Sequence, residues 1–274
     1  MIRRIVVGLN GTQFSRAAAD LATKWAKHYD AELIGVAVVD LPRITAPQAV
    51  PIGASAFKAE RDREAVRNAH LRAEEVLREF EAQCQAAAVR FTTHKLEGNP
   101  PEVLARESQR GDLLVIGGKA LPEEYVDTPR VVEHVLRIAP RPVVCVPTNA
   151  TELGDAVLVA YDGSAQAAKA LQVFLATGLA TGRPIHLLTV TREGERNPAA
   201  LAAEYLLAHG VPVEVNVQAT QVSPAKAILA EARRLNAGLI VAGSYGQPLL
   251  KELFFGSVTE TLLRESSTSL LLYH

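Results

Sequence analysis

The sequence is poor in cysteine, in aromatic residues and in net charge, and each shortage excludes a class of protein. Cys84 and Cys145 are too few for a disulfide framework and form no Cys-x-x-Cys pair, so we expect two buried, reduced thiols. The formal net charge of −1 leaves no basic field for nucleic acid and no acidic excess typical of disorder. No apolar run approaches the roughly 20 residues that span a bilayer, and no apolar leader opens the chain. These absences predict a cytoplasmic protein without a membrane or nucleic-acid partner.

Several motifs of nucleotide and metal chemistry are also missing. There is no Gly-x-x-x-x-Gly-Lys-Ser/Thr loop, and no Gly-x-Gly-x-x-Gly follows the first strand of either half, which argues against a phosphate-loop NTPase and a dinucleotide oxidoreductase. The seven histidines are scattered without metal-ligand spacing. His186 lies in an apolar strand, where we expect a hydrogen-bonded structural imidazole. The sequence therefore predicts no metal site and no catalytic residue.

What the sequence does contain is one strand-and-helix pattern that occurs twice. Apolar runs at 4–9 and 156–161 are each followed by a polar turn, Asn10-Gly11-Thr12 or Asp162-Gly163-Ser164, and then by an Ala-rich helical stretch. Continuous Val/Ile/Leu runs predict strands buried on both faces, and their alternation with helices predicts parallel crossovers. The remaining strands are predicted at 32–39, 90–96, 112–117 and 142–146, and at 184–190, 211–219, 238–243 and 269–273.

The order βαβαβαβαβ, present twice, predicts an α/β protein with two tandem five-stranded parallel-sheet domains. A polar stretch at 147–154 separates the copies, which gives domains at 1–147 and 155–274. Asn99-Pro100 and Ser223-Pro224 each predict a helix start with a capping side chain, and Glu102 adds a capping arrangement to the first. The first copy also has a Pro-rich loop at 41–53 and a long helix, whose later part is predicted to carry a core stripe at Ala69, Ala73, Val76, Leu77, Phe80 and Cys84. We expect its segment 58–67, which alternates in charge, to be a solvated face rather than a docking surface.

The chemistry is concentrated after the fourth strand of the second copy. Gly243-Ser244-Tyr245-Gly246 is followed by nine residues and then by Gly256-Ser257. The glycines let backbone N–H groups approach an anion closely, and Gly256-Ser257 opens a helix whose N-terminal N–H groups and dipole favour negative charge. Bland alternatives remain for each residue: Asp162 could cap a helix, Gly243 and Gly246 could be turn glycines, and Ser257 could be an N-cap.

This spacing, with Asp162 at the end of the first strand, resembles the ATP-binding signature of the universal stress protein family. The shared strand order extends the resemblance over nearly the whole chain. It implies Rossmann-like, adenine-nucleotide-binding domains and ATP as the ligand, with Mg²⁺ left open. By resemblance, Asp162 and the backbone around Ala160 and Tyr161 would hold the nucleoside, and Val190 would meet the adenine ring. The phosphates would be held by Gly243, Tyr245, Gly246, Gly256, Ser257, Val258 and Thr259.

The first copy departs from this signature at most of its positions. Asn10 stands where Asp162 stands, Gly117-Gly118-Lys119-Ala120 lacks the second glycine, and Arg130-Val131 replaces Gly-Ser. Acidic residues in the loop would oppose a phosphate, although Lys119 and Arg130 could still attract an anion. The first domain is therefore predicted to be a degenerate scaffold. The acidic residues are Glu123, Glu124 and Asp127.

The functional prediction is an ATP-binding stress-response regulatory protein, with nucleotide in the second domain, little or no turnover and an unknown protein partner. One alternative is a slow ATPase, for which Asp162 and Glu260 are the candidate acidic groups. Another is a nucleotide-free interaction module. The resemblance further implies that the last strands, 142–146 and 269–273, pair within the chain as an intramolecular pseudo-dimer, which would cover two sheet edges. Whether two chains then associate as a homodimer stays open.

Overall fold

The computed structural model describes residues 1–47, 55–118, 129–148, 154–191, 197–244 and 257–274. The first half contains β1 (Arg4–Leu9), α1 (Gln13–Tyr29), β2 (Glu32–Val39), α2 (Leu41–Ile44), α3 (Ser55–Ala86), β3 (Phe91–Glu97), α4 (Pro100–Ser108), β4 (Leu113–Gly117), α5 (Pro129–Ile138) and β5 (Val143–Val146). The second contains β6 (Val157–Ala160), α6 (Ala165–Thr177), β7 (Ile185–Thr191), α7 (Ala199–Ala208), β8 (Glu214–Ala219), α8 (Pro224–Arg234), β9 (Leu239–Gly243), α9 (Ser257–Glu265) and β10 (Ser269–Tyr273).

The ten strands of the described residues form one continuous sheet in the order β3-β2-β1-β4-β5-β10-β9-β6-β7-β8. The strands within each half are parallel, as the sequence predicts, while β5 and β10 pair antiparallel with Val144 opposite Leu271. The predicted pairing of the two last strands is therefore confirmed. Because this single pairing is antiparallel, the carboxyl ends of the two sets of strands lie at opposite edges of the sheet.

Helices cover both faces of the sheet, and each hydrophobic layer crosses the boundary between the halves. The α1 face is covered by α1, α3, α6 and α7, and the α4 face by α4, α5, α8 and α9. Val144 and Leu271 belong to the first layer, whereas Cys145 and Leu270 belong to the second. The buried apolar surface, the main stabilising contribution to folding, is thus shared between the two copies.

A second contact between the halves lies at the end of α1. The Ile2 N–H donates a hydrogen bond to the Thr177 carbonyl at 2.8 Å, and Ile2 is fully buried. Burial raises the pKa of the Tyr29 hydroxyl, and the nearby Arg183 guanidinium of the second half partly opposes that rise. The Arg183 Nε–H donates to the Asp155 carbonyl at 2.7 Å, which fixes this cation at the junction.

Two details of the predicted elements are wrong, and one is confirmed. Residues 41–44 form the short helix α2 rather than a loop, because Asp40 Oδ1 accepts the Arg43 N–H at 3.1 Å and Pro42 suits a first turn. Asn99 precedes α4 but makes no side-chain capping bond. The expected core stripe of α3 is confirmed, since Ala73, Val76, Leu77, Phe80 and Cys84 are buried while Ala69 packs beside them.

Candidate functional site

The predicted site residues of the second half meet where the chain changes direction across its sheet. From β6 the chain proceeds outward through β7 and β8, then returns to place β9 on the other side of β6. Ala160, the last residue of β6, lies between Leu188 of β7 and Ala242 of β9. Open α/β sheets bind ligands in the crevice outside such a switch point. Asp162, Val190 and Gly243 lie at this same edge.

Asp162 stands in a tight turn directly beyond β6. Its Oδ1 accepts the Ser164 N–H at 2.9 Å, and Ser164 Oγ in turn accepts the Ala167 N–H at 3.1 Å as the N-cap of α6. Gly163 has a φ of 80°, and a Cβ there would lie 2.8 Å from Pro198 Cβ. The helix cap is thus Ser164 rather than Asp162. The exposed Asp162 keeps a second carboxylate oxygen that no described residue hydrogen-bonds.

The neighbouring backbone is partly engaged in the sheet. The Tyr161 N–H donates to the Leu188 carbonyl at 2.9 Å, and the Tyr161 carbonyl accepts the Thr189 hydroxyl at 2.9 Å. The N–H is therefore unavailable to a ligand, while the carbonyl retains one lone pair. Burial, followed by the charge of Asp162, raises the pKa of the Tyr161 phenol, which stays neutral.

Gly243 is a glycine for a packing reason. A Cβ at this position would lie 2.5 Å from the Ala167 nitrogen, because the first turn of α6 packs directly on the end of β9. Gly117 in the first half has the same constraint, with a Cβ 2.6 Å from Phe14 Cβ. The close approach brings the N-terminal turn of α6 against the end of β9. Because both halves have a glycine here for the same packing reason, the presence of Gly243 does not indicate which half binds a ligand.

The remaining predicted residues lie on α9, on β7 and in the segment 245–256. Ser257 is exposed as the first residue of α9, whereas Thr259 is buried and Val258 packs against the α4 face. Because α9 leads back into the parallel strand β10, its N-terminus lies at the carboxyl edge of the sheet. Val190, half-buried near the end of β7, also packs on the α4 face. Tyr245, Gly246 and Gly256 lie outside the described residues.

The first half repeats the turn but not its charge. Asn10 Oδ1 accepts the Thr12 N–H at 3.1 Å and the Thr12 hydroxyl at 2.7 Å, and Gly11 has a φ of 75°. The turn therefore requires only one side-chain oxygen that accepts the N–H two residues later, which either Asn or Asp can supply. The helix that follows the loop, α5, begins at Pro129, two residues before the position that corresponds to Ser257. Lys119, Ala120, Glu123, Glu124, Asp127 and the Arg130 side chain lie outside the described part of the chain.

Each half also contains a buried carboxylate that sequence reasoning missed. Glu231 of α8 accepts hydrogen bonds from Arg234 (2.8 Å) and Asn216 (3.0 Å), and these bonds outweigh burial and lower its pKa. At the matching position of α4, burial raises the pKa of Glu107, but hydrogen bonds from Arg110 (2.7 Å) and His94 (3.2 Å) outweigh it. The available signal was a Glu followed three positions later by an Arg, within α8 and across the end of α4.

The thiols and histidines agree with structural roles. Burial raises the pKa of Cys84 to about 11 and that of Cys145 to about 12, so both stay protonated near neutrality. His186 Nδ1 lies 3.1 Å from a Glu214 carboxylate oxygen, which fits the predicted hydrogen-bonded imidazole. Over the described ranges, no three His, Cys, Asp or Glu residues cluster as a metal site. None of the described helices combines the length and apolarity of a membrane span.

Comparisons with known proteins agree with this architecture. A model of the universal stress protein family matches residues 1–147 and 192–274. A universal stress protein of Synechocystis sp. is 29% identical over 147 residues, which are 52% of this chain and 50% of that protein, so the match spans about half of its length. A universal stress protein structure from Archaeoglobus fulgidus superposes with a TM-score of 0.71 at 23% identity, covering 98% of this chain and 97% of that one. A functionally unknown protein from Pseudomonas aeruginosa PAO1 gives 0.63 at 16% identity, with 99% and 92% covered.

Proposed function

Since the chain belongs to the universal stress protein family, as a tandem of two copies, we propose that it is an ATP-binding regulatory protein of the stress response. The nucleotide binds in the second domain, residues 155–274, with little or no turnover. The first domain, residues 1–147, is a scaffold without nucleotide. The location is the cytoplasm, which suits two unpaired, buried thiols.

The observation that carries the proposal is the exposed carboxylate of Asp162 at the switch point. Its Oδ1 is used by the turn, and its Oδ2 remains able to accept a hydrogen bond from a ligand. A nucleoside offers such donors in its ribose hydroxyls and its exocyclic amine. The Tyr161 carbonyl and the Ala160 backbone provide further contacts beside it, and Val190 offers an apolar surface to the base.

The phosphates are assigned to the loop after β9 and to the first turn of α9. Ser257 is exposed there and contributes its hydroxyl together with N–H groups that the helix leaves unpaired. Because Thr259 is buried, it contributes its backbone N–H rather than its side chain, as does Val258. Gly243, Tyr245, Gly246 and Gly256 complete the proposed cradle, with Mg²⁺ accompanying the nucleotide.

Calorimetric titration of the nucleotide-stripped chain with Mg-ATP tests the proposal. We expect one site per chain, which a Gly246→Val/Ser257→Ala variant loses. Asp162→Asn keeps the turn oxygen and removes the charge, so it weakens binding while α6 stays folded. Asn10→Asp, the reciprocal change at the corresponding turn of the first domain, keeps the turn oxygen there and leaves binding unaltered.

Other outcomes would replace this proposal. Two sites per chain would show that the first domain also binds, and no binding would favour the nucleotide-free interaction module. Sustained ATP turnover that is lost in Glu260→Gln would favour the ATPase alternative, because Glu260 lies exposed in the first turn of α9. If the Gly246→Val/Ser257→Ala variant still bound ATP, the phosphates would have to be held by other residues than those proposed.

A further inference from the structure

The two outer strands of the sheet, β3 and β8, occupy matching places in the two halves but differ in how they are covered. β3 pairs with β2 and β8 pairs with β7, and the two pairs have the same register. Thr93 therefore corresponds to Val215, and Lys95 corresponds to Val217. Thr93 donates a hydrogen bond to Glu81 at 2.7 Å, and Lys95 pairs with Glu74 at 2.5 Å. Both glutamates belong to the long helix α3, which therefore covers this side of β3.

The α1 face of β8 has no comparable cover among the described residues. Val215 is 48% exposed and Val217 is 41% exposed. The helix beside them, α7, has only 10 residues where α3 has 32. It is apolar on nearly all sides, with Leu201 at 67% and Leu207 at 60% exposure. An all-apolar helix is expected to be buried, so this surface is suited to contact with another protein.

The backbone of β8 is also open to pairing. Thr220 N–H donates to the Thr191 carbonyl of β7 at 3.1 Å, so the alternating residues Val215, Val217 and Ala219 direct their N–H and carbonyl groups away from the sheet. Between residues 214 and 220 the sequence has no Lys, Arg or Pro, the residues that commonly protect an edge strand. The β3 edge, by contrast, carries Lys95.

We propose that β8 pairs antiparallel with β8 of a second copy of this chain, centred on Val217, so that two ten-stranded sheets join in a homodimer. Val217 then faces the partner's Val217, and Val215 faces the partner's Ala219, with their outward N–H and carbonyl groups hydrogen-bonded. Glu214 lies opposite the partner's Thr220, which keeps the two acidic side chains at opposite ends of the ladder. A two-fold contact of this kind uses both β8 edges and closes at the dimer.

The mass of the intact chain in solution, measured by sedimentation equilibrium, tests the dimer. We expect twice the 29.4 kDa chain mass for the wild type. Val217→Lys places two like charges opposite each other and reproduces the residue of the β3 edge, so this variant is expected to be monomeric with an unchanged circular dichroism spectrum. Leu71→Lys, a control at a 56% exposed position of α3, is expected to remain dimeric.

Disulfide trapping tests the register independently of whether Val217→Lys folds. Hydrogen-bonded antiparallel partners have Cα atoms about 5.5 Å apart, a separation that a disulfide spans. Oxidised Val217→Cys is therefore expected to give a covalent dimer, and Leu71→Cys is not, while the buried native thiols stay unreacted. A wild-type monomer at about 100 μM, or no trapping at residue 217, would overturn the proposal.

Discussion

At the scale of single residues, the two halves share the groups that build the fold and differ in those proposed to bind a ligand. Gly117 and Gly243 both allow a helix to pack on a strand end, and Glu107 and Glu231 are both buried and accept a hydrogen bond from an arginine three residues later. Asn10 and Asp162 make the same turn with one side-chain oxygen. Only the charge and the second carboxylate oxygen distinguish Asp162, which is why that difference points to a ligand.

The packing role of Gly243 predicts a stability loss. Gly243→Ala would place a methyl group 2.5 Å from the Ala167 nitrogen and force α6 away from β9. We expect the free energy of unfolding in urea to fall by about 1–3 kcal/mol, the usual effect of overpacking. Gly210→Ala is the comparison, because a Cβ at position 210 would contact no atom within 4 Å. The substitution there is opposed only by the positive φ of 71°. An equal loss at both positions would contradict the packing explanation.

The buried glutamates predict a dependence of stability on pH. Hydrogen bonds from Arg234 lower the pKa of Glu231 in the folded chain, so its contribution is fully present above the ordinary glutamate pKa of about 4.3. That contribution is lost as the pH falls through the lowered, folded-state pKa. We expect Glu231→Gln to be less stable than the wild type at neutral pH and to lose less stability on acidification. Urea unfolding over a series of pH values measures this, and parallel curves would argue against it.

At the scale of elements, the helix starts combine sequence signals that the structure uses unequally. Ser164 and Ser223 cap α6 and α8 through their hydroxyls, and Thr12 caps α1. Asn99 occupies the same place before α4, yet its side chain makes no capping bond. The residue type therefore predicts where the helix starts. Whether the side chain makes the capping bond depends on the backbone conformation between the preceding strand and the helix.

This difference between α8 and α4 can be measured with one matched pair of variants. Ser223→Ala removes an acceptor for the Lys226 N–H, which lies 3.4 Å from the hydroxyl, and is expected to cost about 1 kcal/mol of stability. Asn99→Ala removes no capping bond and is expected to cost only a few tenths of that. Thermal and urea unfolding of both proteins would decide, and a larger loss for Asn99→Ala would refute the assignment.

At the scale of the whole molecule, the halves form one body through β5, β10 and the two shared hydrophobic layers. Leu271 is fully buried opposite Val144, and Ile2 and Tyr29 add contacts with the second half beyond the sheet. The antiparallel junction also sets the functional geometry, because it directs the carboxyl ends of the halves to opposite edges. The nucleotide site proposed in the second half is therefore remote from the corresponding edge of the first.

Cooperative unfolding follows from this shared core. The single tryptophan, Trp25, belongs to α1 and reports on the first half, whereas far-ultraviolet circular dichroism reports on both halves. We expect the two signals to change at the same urea concentration. Leu271→Ala, made in the second half, is expected to shift both midpoints together through a loss of about 2–5 kcal/mol. A Trp25 transition that this variant leaves in place would indicate independent domains.

The sequence by itself determined the order of strands and helices along the chain and the tandem repeat. These follow from local patterns, since apolar runs, turn residues and helix starts depend on neighbours along the chain. The pairing of β5 with β10 followed only from the family resemblance. Asp162 and Val190 were assigned to the site through the same resemblance, and they lie at one edge with Gly243 because the carboxyl ends of parallel strands share an edge.

Only the tertiary structure decided which of these residues are available and which are used by the fold. Gly243 packs against α6, the Tyr161 N–H is hydrogen-bonded to β7, and the Thr259 side chain is buried. Each of these contacts is made with a segment that is distant in sequence. That no described helix covers β8 as α3 covers β3 likewise emerged only when α3 and α7 could be compared in place. Burial and hydrogen bonding depend on segments distant along the chain, so a pattern can identify a residue without fixing what surrounds it.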